Sequence, residues 1–149
     1  MSLKKALVFV SVFGLLGILA GCGAYNSSIS TRGQRYAFVT NFISDSVSIY
    51  AIDSQTGSLT PRNSVPTNGI NSKVIAVEPS GHFAYVGNIS SDNITVFSID
   101  ANTGTLTQVG APVPAGDGPQ GIAIGPTGGF LYETNQEANN ITAFSINPT

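Results

Sequence analysis

The sequence repeats with a period of 47 residues. Phe38-Val39-Thr40-Asn41 returns as Tyr85-Val86-Gly87-Asn88 and again as Tyr132-Glu133-Thr134-Asn135. Ser46-Val47-Ser48-Ile49-Tyr50 returns in the same register at Asn93-Ile94-Thr95-Val96-Phe97 and Asn140-Ile141-Thr142-Ala143-Phe144. Short alternating segments at this spacing mark blades of a β-propeller, in which each repeat is one small sheet that cannot cover its own apolar faces. The fold expected is therefore all-β, a β-propeller.

The second repeat shows four strand segments. Lys73 to Val77 alternates, and Glu78-Pro79-Ser80-Gly81 turns the chain into Phe83 to Gly87. Asn88 to Asp92 is a polar loop. In Asn93 to Ile99, Ile94, Val96 and Ser98 face one way and Thr95, Phe97 and Ile99 the other, so both faces carry apolar groups. Asp100-Ala101-Asn102-Thr103-Gly104 is a hairpin turn in which Gly104 supplies positive φ, and Thr105 to Val109 is the fourth strand. The first repeat has the matching turn at Asp53-Ser54-Gln55-Thr56-Gly57. The chain thus holds three strands of one blade, four of the next and three of a third, an incomplete arc of about two and a half four-stranded blades. Propellers close rings of ~4–8 blades. An open arc leaves one apolar face of each end blade uncovered, so the expectation is a truncated product or fragment that is marginally stable, sticky or oligomeric through its open blade faces, the alternative being a genuine short protein that completes its ring by self-association.

The domain boundaries follow. Lys4 and Lys5 precede an apolar run, Ala6 to Ile18, that is shorter than the ~20 residues of a membrane-spanning helix. The run ends in Leu19-Ala20-Gly21-Cys22, which resembles a bacterial lipoprotein signal. That resemblance implies a signal peptide at 1–21, lipid attachment at Cys22, a polar tether at 22–34 and the propeller at 35–149. It places the protein at the cell envelope, with the membrane as a partner through the lipid. If the sorting rule of Gram-negative lipoproteins applies, Gly23 rather than Asp after the cysteine favours the outer membrane, the alternative being the periplasmic face. Cys22 is the only cysteine, which excludes an intramolecular disulfide.

Composition narrows the functions. Without residues 1–21 the basic residues are Arg32, Arg35, Arg62 and Lys73 against eight acids, a net charge of −4. Nothing here attracts phosphate backbones, so nucleic acid is not an expected partner. The single His and scattered acids give no metal-ligating cluster, and no cofactor or metal is expected.

The repeat units, together with Gly118-Pro119-Gln120-Gly121-Ile122-Ala123-Ile124 and the hairpins Thr56-Gly57-Ser58-Leu59 and Thr103-Gly104-Thr105-Leu106, resemble the lactonase family of seven-bladed propellers with Tyr-Val-Thr-Asn repeats. The resemblance covers nearly all of Arg35 to Thr149. It implies metal-independent hydrolysis of a sugar lactone, as in 6-phosphogluconolactonase, with a lactone or carbohydrate as ligand. It also implies a catalytic His after a Pro at the start of an inner strand, with Arg and Glu partners. Those His positions fall on Gly121 and Val74, neither of which can act as a base. The catalytic residues are therefore unknown, and this fragment is expected to be inactive. The alternative is a non-catalytic propeller of the envelope that binds a ligand or protein.

The ligand-binding candidates follow from blade geometry. The loops Pro66 to Ser72 and Pro114 to Gln120 open on one face, with Phe42 to Asp45, Ile89 to Asp92 and Gln136 to Asn139. Lys73 and Gln120 begin inner strands at the mouth of the central channel, where they could hold an anionic group or merely solvate the rim. Asp117 lies in a loop on the same face. Asp45 and Asp92 lie there too, in positions where turns use Asp for hydrogen bonds. Glu133 breaks the column of Val39 and Val86. It is either a buried functional carboxylate with a raised pKa or the sign of an uncovered face. His82 sits in a turn on the opposite face and is expected to be a surface residue.

Overall fold

The computed structural model describes Ser11–Val12 and residues 34–147. The remainder of the expected signal and tether, Cys22 included, lies outside the described residues.

Three antiparallel sheets follow one another along the chain. The first contains β1 (Ser11–Val12), β2 (Arg35–Asn41), β3 (Ser46–Ile52) and β4 (Leu59–Pro66), in that order. The second contains β5 (Ser72–Val77), β6 (Phe83–Asn88), β7 (Asn93–Ile99) and β8 (Leu106–Gln108), with β9 (Val113–Pro114) also pairing β7. The third contains β10 (Pro119–Ile124), β11 (Phe130–Asn135) and β12 (Asn140–Ser145). The sheets are consecutive blades. Their inner strands converge, with β5 beside β10 and against β2.

Two departures from the sequence reading concern strands. The first blade gains a strand, because Ser11–Val12, inside the segment read as a signal, pairs with β2 at Phe38 and Ala37. The fourth strand of the second blade is broken. β8 ends at Gln108, the Val109 N–H still donates to the Val96 carbonyl of β7 at 2.8 Å, the chain then bends through Gly110 at φ 66°, and ladder pairing with β7 resumes at Val113. Pro112 has no N–H to donate to the ladder, so a continuous strand is unavailable there.

The hairpin turns are built alike. The Asp53 carboxylate accepts from the Gln55 and Thr56 N–H groups, and the Asp100 carboxylate from those of Asn102 and Thr103. Gly57 at φ 74° and Gly104 at φ 71° close the loops. These hydrogen bonds hold both carboxyls below the ordinary Asp range.

Alternation gives each blade two packing faces. Phe38, Val47 and Ile49 of the first blade meet Ile75, Val86 and Phe97 of the second. The opposite face of the second blade presents Tyr85 and Ile94 to Leu131 of the third. Tyr36 ties the first pair together, since its hydroxyl donates to the Asn102 carbonyl at 2.6 Å and its ring fills the space where a Gly104 side chain would stand. The outer face of the third blade is bare. Phe130 is 52%, Tyr132 46% and Ile141 69% exposed. Val39, Tyr50 and Ile52, on the far face of the first blade, are half-buried.

Candidate functional site

The loop face is assembled by one device used twice. Asp45 and Asp92 end the β2–β3 and β6–β7 loops, both at φ 48°, a left-handed conformation that Asp tolerates. Each reaches across to the loop entering the next blade. The Asp45 carboxylate accepts from the Asn71 N–H at 2.6 Å, and the Asp92 carboxylate from the Gly118 N–H at 2.8 Å. Their carbonyls accept from the Thr67 and Ala115 N–H groups at 2.9 and 2.8 Å. These carboxylates are loop clamps, which removes them as free ligand-binding groups.

Beneath those loops sits a buried asparagine in each of the last two blades. The Asn88 amide donates to Asn93 Oδ1 at 2.8 Å and Thr95 Oγ1 at 2.9 Å, and its Oδ1 accepts from Ser72 Oγ at 2.8 Å. The Ser72 hydroxyl lies 2.6 Å from Thr67 Oγ1, and Thr95 Oγ1 donates to the Thr67 carbonyl at 2.6 Å. The network joins three strands to the incoming loop. Asn135 repeats half of it, donating to Asn140 Oδ1 and Thr142 Oγ1, each at 2.8 Å. Pro119 stands in the place of Ser72, and Asn135 Oδ1 is buried without a partner. Gly69 and Gly116 cover these amides, and a side chain at either would overlap the asparagine. Sequence reasoning missed this role. The signal was present, since Asn41, Asn88 and Asn135 recur at the repeat interval, each followed at +5 and +7 by Ser, Thr or Asn.

Lys73 and Gln120 share a feature invisible in the sequence. The β5–β6 register shifts between Ser72 and Val74, and the β10–β11 register between Pro119 and Gly121. Both candidates are thus the extra residue of a β-bulge at the mouth of an inner strand, a device that re-aims a side chain out of the ladder. Both are half-buried. The Gln120 amide donates to the Gln136 side chain on the neighbouring loop. Lys73 accepts at its carbonyl from Thr40 Oγ1 at 3.0 Å. Asp117 is exposed, and its carbonyl accepts from the Glu137 N–H.

Glu133 is on the buried face of β11 with Leu131 and Asn135, and its exposure is 0%. The uncovered face of this blade is the other one, so exposure does not account for the carboxylate. Oε2 accepts from the Gly116 N–H at 3.2 Å, and Oε1 has no partner. Burial raises its pKa, the Gly116 hydrogen bond opposes the rise, and the Asp92 charge adds to it. Gly116 and Asp117 lie in the loop above, so Glu133, Asp117 and Gln120 gather around one loop, while Lys73 lies on the neighbouring inner strand.

A cavity of about 250 Å³ opens between the second and third blades beside Glu78, Phe83, Tyr85, Leu131, Phe144 and Asn147. None of the four candidates lines it. His82 is exposed on that far side, with Nδ1 3.0 Å from Ser80 Oγ.

Residues 31–149 match the family described as lactonase, 7-bladed beta-propeller. The chain belongs to that family. Among solved structures, this lactonase-family chain is similar to a candidate 6-phosphogluconolactonase from Bacteroides fragilis, at 28% identity and TM-score 0.69 over 75% of this chain and 32% of that one. A protein from Lactobacillus plantarum is 28% identical with TM-score 0.68, over 75% and 34% of the two chains. The periplasmic gluconolactonase of Pseudomonas aeruginosa shares the fold at 22% identity and TM-score 0.66, over 76% and 33%. The chain thus spans about a third of the length of these relatives. No curated protein sequence matches it significantly. Where the family resemblance expects its catalytic His, Val74 is buried on β5, and Gly121 on β10 faces Thr134 Oγ1 too closely to take a larger side chain without a shift.

Proposed function

We propose that this chain is an arc of a sugar-lactone hydrolase of the cell envelope. The observation that carries the reading is the family match over residues 31–149. In this reading the lactone lies across the loop face of a complete ring. Lys73 supplies a positive charge at the rim, and Gln120 supplies an amide able to hydrogen-bond sugar hydroxyls. The general base comes from blades beyond these three, so the arc alone binds weakly and turns nothing over. A Cys22 lipid would hold the domain at the membrane, where an unphosphorylated lactone suits the location better than a phosphorylated one.

Hydrolysis of gluconolactone, followed by titration of the released acid, tests the reading. The complete ring is expected to accelerate it and the 149-residue chain is not. A full, folded ring with no activity on gluconolactone or related lactones would end the proposal. Radiolabelled palmitate incorporation that Cys22→Ala abolishes is the expected result for the anchor.

One observation favours a second reading, a non-catalytic binding propeller. Both inner-strand positions where the family resemblance places its base hold residues that cannot titrate, while the adjacent bulges present polar side chains. Saturable binding of gluconate or a related carbohydrate by the complete ring, with no lactone turnover, would select this reading.

A further inference from the structure

The third blade lacks one hydrogen-bond donor and has one carboxyl in surplus. In the second blade Asn88 Oδ1 receives the Ser72 hydroxyl, and the column position beside it is the buried Val86. In the third blade Pro119 brings neither a hydroxyl nor an N–H, and Val86 is replaced by Glu133. Two buried acceptors are left without partners, Asn135 Oδ1 and Glu133 Oε1. Glu133 and Asn135 are two residues apart on one face of β11, so their backbones stand about 6–7 Å apart, within reach of a glutamate side chain. Both close on the same residue. Glu133 Oε2 takes the Gly116 N–H, and the Gly116 α-carbon rests on the Asn135 amide. A hydrogen shared between these two acceptors would satisfy both, and leaving a buried acceptor unpaired is costly.

We infer that Glu133 is held as the neutral carboxylic acid in the folded protein and donates its hydrogen to Asn135 Oδ1, replacing the serine hydroxyl that this blade lacks. A carboxyl fits the geometry because it both accepts, from Gly116, and donates, to Asn135. Burial raises the Glu133 pKa, in the direction this requires. The ionisable groups on the packed elements do not oppose it. Asp92, at the end of the β6–β7 loop, is acidic and favours the neutral form. Tyr85 on the facing β6 is itself raised by burial and stays uncharged. Asp117 and Glu137 are exposed in the loops above, and Lys73 lies on β5. Glu133 is therefore a structural proton holder, and its ionisation loosens the seam between the second and third blades beneath the loop face.

The sign of the pH effect is fixed. A carboxyl whose folded pKa is raised stabilises the fold fully below the unfolded value, about 4.3, and this stability is lost as pH rises through the folded value. Across that window the unfolding constant of the full chain is expected to rise by up to tenfold per pH unit, and Glu133→Gln, which keeps a donor and an acceptor at every pH, removes that slope. The carboxyl carbon resonance of Glu133, followed by NMR in the unaltered chain, gives the protonation state without any variant. It is expected to report the acid at pH 6, and Pro119→Ser, which returns a hydroxyl to Asn135, is expected to move its midpoint down. An ionised Glu133 at pH 5, or a midpoint that Pro119→Ser leaves in place, overturns the inference. So does calcium that stabilises the chain but not Glu133→Gln, since a cation would then fill the space assigned to the proton.

Discussion

Truncating Asn88 and Asn135 to alanine should give very different penalties, though the two residues occupy the same position in successive blades. Asn88 is fully buried and makes three side-chain hydrogen bonds, to Ser72, Asn93 and Thr95. At about 1 kcal/mol net for each, with a further penalty for leaving the Ser72 hydroxyl without its acceptor, Asn88→Ala should cost about 3–4 kcal/mol. Asn135 makes two such bonds, and once Glu133 is ionised its third polar atom has no partner to lose. Removing that atom then also relieves a desolvation penalty, so with Glu133 ionised Asn135→Ala should cost about 1–2 kcal/mol. Small domains are stable by only about 5–15 kcal/mol, so the first change takes a large share and the second does not. Urea unfolding followed by circular dichroism at pH 9, where Glu133 is ionised, with equal m-values in the variants, measures both. Equal penalties, or an Asn88→Ala cost under about 1 kcal/mol, would refute the claim that the completed network stiffens the second blade.

Gly104→Ala places a side chain at φ 71° and into the Tyr36 ring, so it should lower stability by about 2 kcal/mol or more, with Tyr36→Phe costing about 1 kcal/mol; thermal melts check both. The turn carboxylates of Asp53 and Asp100, held below the usual range, stabilise the fold above the unfolded value of about 3.9, and this is lost as pH falls through their folded values. Asp53→Asn with Asp100→Asn should therefore flatten acid unfolding below pH 4 while leaving the curve at pH 8 parallel to wild type. The bare face of the third blade should bind a hydrophobic dye and drive association, and Phe130→Glu with Ile141→Lys should cut dye binding and lower the mass seen by light scattering.

The parts legible in the sequence were those that the repeat states three times. The central strands β2, β6 and β11 and their partners β3, β7 and β12 follow from alternation at a fixed interval, because a sheet packed on both sides writes its pattern into every strand. Strand edges were less legible. The break before β9 depends on a single missing N–H at Pro112, and the bulges at Lys73 and Gln120 depend on register, which no local pattern shows. At the candidate site, Glu133 was readable because it breaks an apolar column. Asn88 and Asn135 were legible only as a recurrence with Ser, Thr or Asn at +5 and +7, because asparagine before a loop also describes an ordinary turn residue. Only the tertiary fold shows that their amides point inward beneath the next blade's entry loop.

The bulge at the mouth of each inner strand has a consequence for how such a rim can diversify. Lys73 and Gln120 sit at the one position of their strands that the ladder does not pair, so exchanging one side chain for another there disturbs no neighbouring register. Single codons can thus exchange the side chains at these two positions, blade by blade, while the sheets that carry them are inherited unchanged.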